Sequence, residues 1–198
     1  GRDALIRGLV KFERWDEILR PGVVEWDTSM DFGKLEKAYT ETLALTGLGR
    51  FAEARAKLPE IEQLVDKVDP AEKDKPRSTT SMGSLILNMV NGNLLLAEDK
   101  VVEGREALAK AAAAEQAMRN EHMFPNDPPS QPWPIHRLLG DDYLKRGEAK
   151  LAIASYNIAL KNEPNDGFTL SGLARAWFAL GERDRATTYA GELAYVWS

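Results

Sequence analysis

Residues 133–164 read WPIHRLLGDDYLKRGEAKLAIASYNIALKNEP, and their spacing predicts two short amphipathic helices joined by a tight turn. Leu139, Gly140 and Tyr143 fall on one face of the first helix. Gly147 can adopt the left-handed backbone that ends a helix, and Pro164 stops the second helix. The second helix has an apolar stripe that consists of Ala149, Ala152, Ile153, Tyr156 and Ala159.

This hairpin resembles the tetratricopeptide repeat (TPR), a helix-turn-helix unit of about 34 residues. The family pattern of Leu, Gly, Tyr, small, aromatic, Ala and Pro matches Leu139, Gly140, Tyr143, Ala152, Tyr156, Ala159 and Pro164. The turn glycine matches Gly147, whereas His136 stands where the family has its early tryptophan. The resemblance implies an all-α chain of helical hairpins that stack in a right-handed superhelix, an α-solenoid.

Similar hairpin patterns occur elsewhere along the chain, but the distance between equivalent positions changes. The small position of the last hairpin, Ala186, lies 34 residues after Ala152, and Gly104 and Ala54 hold the same place in earlier, longer units. We therefore expect a single domain over 1–198, taken as a fragment of a longer protein. Its hairpins are predicted at about 3–20, 34–68, 84–119, 133–163 and 167–198.

Two segments interrupt the helical pattern. Residues 69–82 are charged and then rich in serine and threonine, which is typical of a linker. Residues 119–132 contain four prolines and must be extended or turned. The part at 124–132 has two interpretations, because it can narrow a groove or bridge helices of unequal length.

In the TPR family the first helix of each repeat lines the concave side of the superhelix. The resemblance therefore implies a groove that binds a protein or peptide segment, and the function expected is that of a non-catalytic scaffold. The alternative is a structural self-assembly module, such as a homodimer, that pairs through the exposed ends of the stack. The groove residues implied by position are Tyr39, Leu43, Met89, Asn93, Arg137, Asp141, Ser171, Arg175 and Phe178.

Composition argues against several other classes of protein. The net charge is −5, which does not suit a nucleic-acid surface, and no run of about 18 apolar residues predicts a membrane span. There is no cysteine, so the chain has no disulfide or thiolate chemistry. The two histidines, His122 and His136, match no compact metal-ligand spacing. We also find no phosphate-binding glycine loop and no nucleophile elbow, and so expect neither cofactor nor catalysis.

Overall fold

Ten α-helices and no strand make up the described part of the chain, which in this computed structural model comprises residues 1–68, 81–120 and 133–198. The all-α prediction is confirmed for these residues. The linker predicted at 69–82 lies outside them except for Ser81 and Met82, which cap and begin a helix, and the segment at 124–132 lies outside them entirely. The prediction that 119–132 is extended or turned is wrong for Arg119 and Asn120, which end the helix Val101–Asn120, because the first proline of that segment comes only at Pro125. The helices are α1 (Arg2–Lys11), α2 (Trp15–Leu19), α3 (Asp31–Gly47), α4 (Phe51–Val68), α5 (Met82–Ala97), α6 (Val101–Asn120), α7 (Ile135–Lys145), α8 (Ala149–Asn162), α9 (Gly167–Ala179) and α10 (Arg183–Val196).

The helices form five hairpins, and all five turns have the same backbone. Each turn has three residues, and the middle one has a positive φ of 54–79°. In the turn after α7, the Glu148 amide donates to the Tyr143 carbonyl at 2.8 Å and the Gly147 amide donates to the Leu144 carbonyl at 3.1 Å. This pair of bonds is the Schellman motif, which satisfies carbonyls that the helix end leaves without partners.

Glycine holds the left-handed position in three of these turns, at Gly49, Gly147 and Gly181. Glycine is the residue that adopts this backbone without steric cost. The other two turns place Glu13 and Asp99 there, with φ values of 54° and 64°. Glycine therefore marks three of the turns in the sequence, whereas the other two carry no such mark.

Contacts between helices divide the chain into two compact units, residues 1–132 and 133–198. In the first unit, α5 packs on α6 and also on α3 and α4, and α3 packs on α4. In the second unit, α8 lies between α7 and α9, and α9 packs on α10. The single domain expected from the sequence stays a prediction.

Small residues allow the helices of a hairpin to approach closely in both units. In the first unit, a Cβ added to Gly92 would lie 2.9 Å from Leu108 Cγ. In the second unit, a Cβ added to Gly140 would lie 2.5 Å from Tyr156 Cε1. In both hairpins the helices therefore come close at equivalent repeat positions, Gly92 with Leu108 in one and Gly140 with Tyr156 in the other.

Candidate protein-interaction surface

The tyrosine at the centre of the second unit fixes three helices relative to one another. Tyr156 on α8 is fully buried, and its ring lies between Gly140 on α7 and Gly172 on α9. Its hydroxyl donates a hydrogen bond of 2.7 Å to Asp141 Oδ1. The same ring packs in a cluster with Ala152, Ile153, Leu173 and Ala176. This arrangement sets the positions of the first helices, α7 and α9, on which five of the predicted groove residues lie.

Burial and the neighbouring charges shift the pKa of both hydrogen-bonded groups. The pKa of the Tyr156 phenol is raised, chiefly because the ring is removed from water and also because of the negative charge of Asp141 and the hydrogen bond that its carboxylate accepts from the phenol. The pKa of Asp141 is raised by loss of hydration, although Arg137, the Tyr156 hydroxyl and Arg175 act in the opposite direction. The Asp141 side chain keeps 47% of its surface exposed, so water still reaches the carboxylate.

The four predicted groove residues of the first unit are not equally accessible. Leu43 and Met89 expose only 1% and 2% of their surface. These two side chains therefore belong to the core and not to an accessible groove, which corrects the expectation from the sequence. Tyr39 and Asn93 are half-buried. The pKa of the Tyr39 phenol is raised, first by burial and then by the nearby Glu36 carboxylate.

Arg137 is the third predicted groove residue that the structure buries. It exposes 3% of its surface, and its guanidinium carbon lies 5.4 Å from the Trp133 ring and 5.3 Å from the Phe168 ring. Its nearest carboxylate atom, Asp141 Oδ2, is 3.8 Å from Nε. Nε and Nη2 form no hydrogen bond. Arg137 therefore supports the interior of the unit by stacking between aromatic rings, and it is not available to a partner.

We expect Arg137→Ala to lower the free energy of unfolding by about 2 kcal/mol, because it removes two buried ring contacts and leaves a cavity. Urea denaturation followed by circular dichroism measures this change. Arg175→Ala, on an exposed residue of the same unit, is the control and should stay within about 0.5 kcal/mol of the wild type. Equal stabilities for the two variants would contradict the interior role of Arg137.

A cleft between α9 and α10 forms the open surface of the second unit. Its volume is about 760 Å³. Arg175 and Phe178, both predicted as groove residues, are among the residues that line it, and Phe178 exposes 66% of its surface. Ser171 is half-buried on α9, outside the lining. The lining consists of Leu144, Ala174, Arg175, Phe178, Ala179, Arg183, Ala186, Thr187 and Ala190.

The second helix of the hairpin supplies a large part of this lining, although the groove was expected to be lined by first helices. Arg183, Ala186, Thr187 and Ala190 all lie on α10. A signal for them was present in the sequence. Each lies 34 residues after a residue of α8, and the α8 positions form its inward face.

Comparison with known proteins supports the fold. The chain is similar to the crystal structure of MamA protein, with a TM-score of 0.52, 18% identity, and coverage of 98% of this chain and 88% of that chain. A structure of a MamA mutant has a TM-score of 0.48 at 18% identity, with 98% and 94% of the two chains covered. No family model and no curated protein sequence matches the chain. The likeness at this identity concerns the fold alone, and with the hairpins and their turns it shows a TPR-like arrangement of helices.

The cleft is lined by alkyl, phenyl, hydroxyl and guanidinium groups. Within residues 1–68, 81–120 and 133–198, no group of three His, Asp or Glu side chains is placed to hold a metal ion. His136 is half-buried, and burial lowers its pKa. No helix in the described part of the chain has the length and apolarity needed to cross a bilayer.

Proposed function

We propose that this protein is a non-catalytic scaffold that binds a protein or peptide segment through the exposed surface of its helical hairpins. The cleft between α9 and α10 would be the anchoring point. The observation that carries the proposal is this cleft, whose lining includes an exposed phenylalanine, two arginines and four alanines. An open apolar surface with polar groups at its rim is typical of interaction sites.

The residue types in the cleft suit binding energetics. Phe178 offers a large apolar ring at the surface, and aromatic residues and arginine are enriched at the centres of protein interfaces. The small side chains of Ala174, Ala186 and Ala190 leave room for the side chains of a partner. Burial of apolar surface would supply most of the binding free energy, whereas Arg175 and Arg183 would select the partner by charge.

Phe178→Glu is expected to abolish binding of segments selected from a displayed library of random peptides, because it places a carboxylate in the apolar cleft. Enrichment on the wild type and on the variant, at equal protein loading, measures the effect. Leu151→Glu on α8 is the matched control, since Leu151 is 50% exposed and lies outside the cleft lining. Enrichment that is the same on both variants and the wild type would reject the cleft as the anchoring point.

A second candidate function is self-assembly through the end of the helical stack. The observation in its favour is that Tyr195 and Trp197, near the end of α10, expose 83% and 60% of their surface. Two such ends could bury these rings against each other. Sedimentation at increasing protein concentration tests this candidate, and a species of constant monomer mass would exclude it.

A further inference from the structure

The cleft of the second unit involves the face of the α9–α10 hairpin that is equivalent to the face of the α7–α8 hairpin on which α9 packs. On the α7–α8 hairpin this face is covered by α9, which packs against both helices. The same face of the α9–α10 hairpin is open and forms the cleft. The lining residues Ala174, Phe178, Ala186, Thr187 and Ala190 lie 34 residues after Gly140, Leu144, Ala152, Ile153 and Tyr156.

The burial of the two faces differs as expected for a covered and an uncovered surface. Ile153 and Tyr156 are buried on α8, whereas the equivalent Thr187 and Ala190 on α10 are exposed. Among the described residues of α10, only Ala186 is buried. Of the equivalent positions on α10, Ala186 is therefore sheltered, whereas Thr187 and Ala190 are open to a partner.

We infer that this cleft binds an amphipathic helix of a partner protein, which docks on α9 and α10 as α9 docks on α7 and α8. The inference rests on the proposed function and adds the conformation and chemistry of the partner. Helix packing of this kind needs small residues where the axes cross, and Ala174 and Ala186 provide them.

The sizes of the facing side chains specify an anchor on the partner. On the covered face, the large Tyr156 meets a glycine of the incoming helix, Gly172, whose added Cβ would lie 2.4 Å from the ring. On the open face, Ala190 stands in place of Tyr156. The partner helix must therefore supply the large side chain itself, at the position that Gly172 holds in α9, to fill the space.

The sign of the charge at equivalent positions also differs between the covered face and the open face. On the covered face, Asp141 belongs to the hairpin, and Arg175 of the incoming helix lies close enough to lower the pKa of its carboxyl. On the open face, Arg175 itself holds the place of Asp141, and Arg183 holds that of Ala149. These arginines are the ionisable residues of the lining, and their guanidinium groups form no hydrogen bond or ion pair with residues that the structure describes. The partner helix should therefore place a carboxylate three residues after its large anchor, on the same face.

A peptide made from α9 itself provides the probe. The parent peptide has residues 166–182, DGFTLSGLARAWFALGE, and a staple on its outer side keeps it helical. The exchanged peptide contains Gly172→Leu and Arg175→Glu. We expect the full chain to bind the exchanged peptide at least about tenfold more tightly than the parent peptide, measured by fluorescence anisotropy.

Reversal of the charge in the protein should reverse the preference. A protein with Arg175→Glu should lose about tenfold in affinity for the exchanged peptide, while a peptide with Gly172→Leu alone, which keeps its arginine, should now bind more tightly. The control protein Leu151→Glu should behave as the wild type. Failure of every peptide to bind, or equal binding of all peptides to all proteins, would overturn the inference.

Two further outcomes separate the inference from the proposed function. A version of the exchanged peptide with Ala174→Pro cannot form a continuous helix. If it binds as well as the helical peptide, or if random peptides need Phe178 while no helical peptide binds, the helix inference falls and the scaffold proposal stands. Self-association of the chain that Phe178→Glu abolishes would make a second copy the occupant and would also overturn the inference.

Discussion

Tyr156→Ala is expected to lower the free energy of unfolding by about 3–5 kcal/mol, the range for a large aromatic side chain removed from a core. Tyr156 is fully buried and packs against α7 through Gly140 and against α9 through Gly172. Its removal leaves one cavity shared by three helices. Backbone glycines on both sides of the ring cannot extend side chains into that space, so the site cannot collapse without movement of the helices. Urea denaturation followed by circular dichroism measures the loss.

Two control variants separate the ring from its hydroxyl and from general effects of truncation. Tyr156→Phe keeps the ring and removes the hydrogen bond to Asp141, which should cost about 1 kcal/mol. Tyr195→Ala removes a tyrosine that is 83% exposed, and the change should stay within about 0.5 kcal/mol. A loss below about 1 kcal/mol for Tyr156→Ala would show that the ring does not connect the three helices.

Gly172→Val is expected to cost about 3 kcal/mol, which is at the upper end for overpacking of a core. A Cβ at this position would lie 2.4 Å from Tyr156 Cζ, well inside contact distance. The ring has no room to move away. Gly140 of α7 is packed against its other side so closely that a Cβ added to Gly140 would lie 2.5 Å from Tyr156 Cε1, and Asp141 holds the hydroxyl by a hydrogen bond. This steric cost exceeds the gain in helix propensity, which is below about 1 kcal/mol when glycine is replaced in a helix.

Gly191→Val provides the matched control for that steric argument. Gly191 lies in α10, and a Cβ there would meet no atom within 4 Å. We expect its stability to stay within about 0.5 kcal/mol of the wild type. The double variant Gly172→Val with Tyr156→Ala should lose less than the sum of the two single losses, because the added methyl groups enter the space that the ring leaves. Additive losses would mean that the valine clashes with something other than the ring.

Stability and binding are expected to depend on different side chains of the second unit. Tyr156 and Gly172 pack against each other between α8 and α9, and neither residue lines the cleft. Changes at Phe178 or Arg183 should therefore alter binding with little effect on unfolding, because these side chains are exposed. Stability and affinity can be measured on the same set of variants, and each serves as the control for the other.

The amino-acid sequence by itself determined the helical hairpins of this protein. Gly49, Gly147 and Gly181 mark three of the turns because glycine accepts the left-handed backbone, and Gly140 with Tyr156 marks a close crossing because one residue has no side chain and the other has a large ring. These properties belong to individual residues and their spacing, so they can be read from the chain alone.

Only the tertiary structure decided which side chains are open to a partner. Leu43, Met89 and Arg137 occupy first helices as Arg175 and Phe178 do, yet the first three are buried and the last two are exposed. Periodicity assigns a residue to a face of its helix, but whether that face meets water depends on whether another helix covers it. The same physical reason explains why the α8 face is core, whereas the equivalent face of α10 lines a cleft.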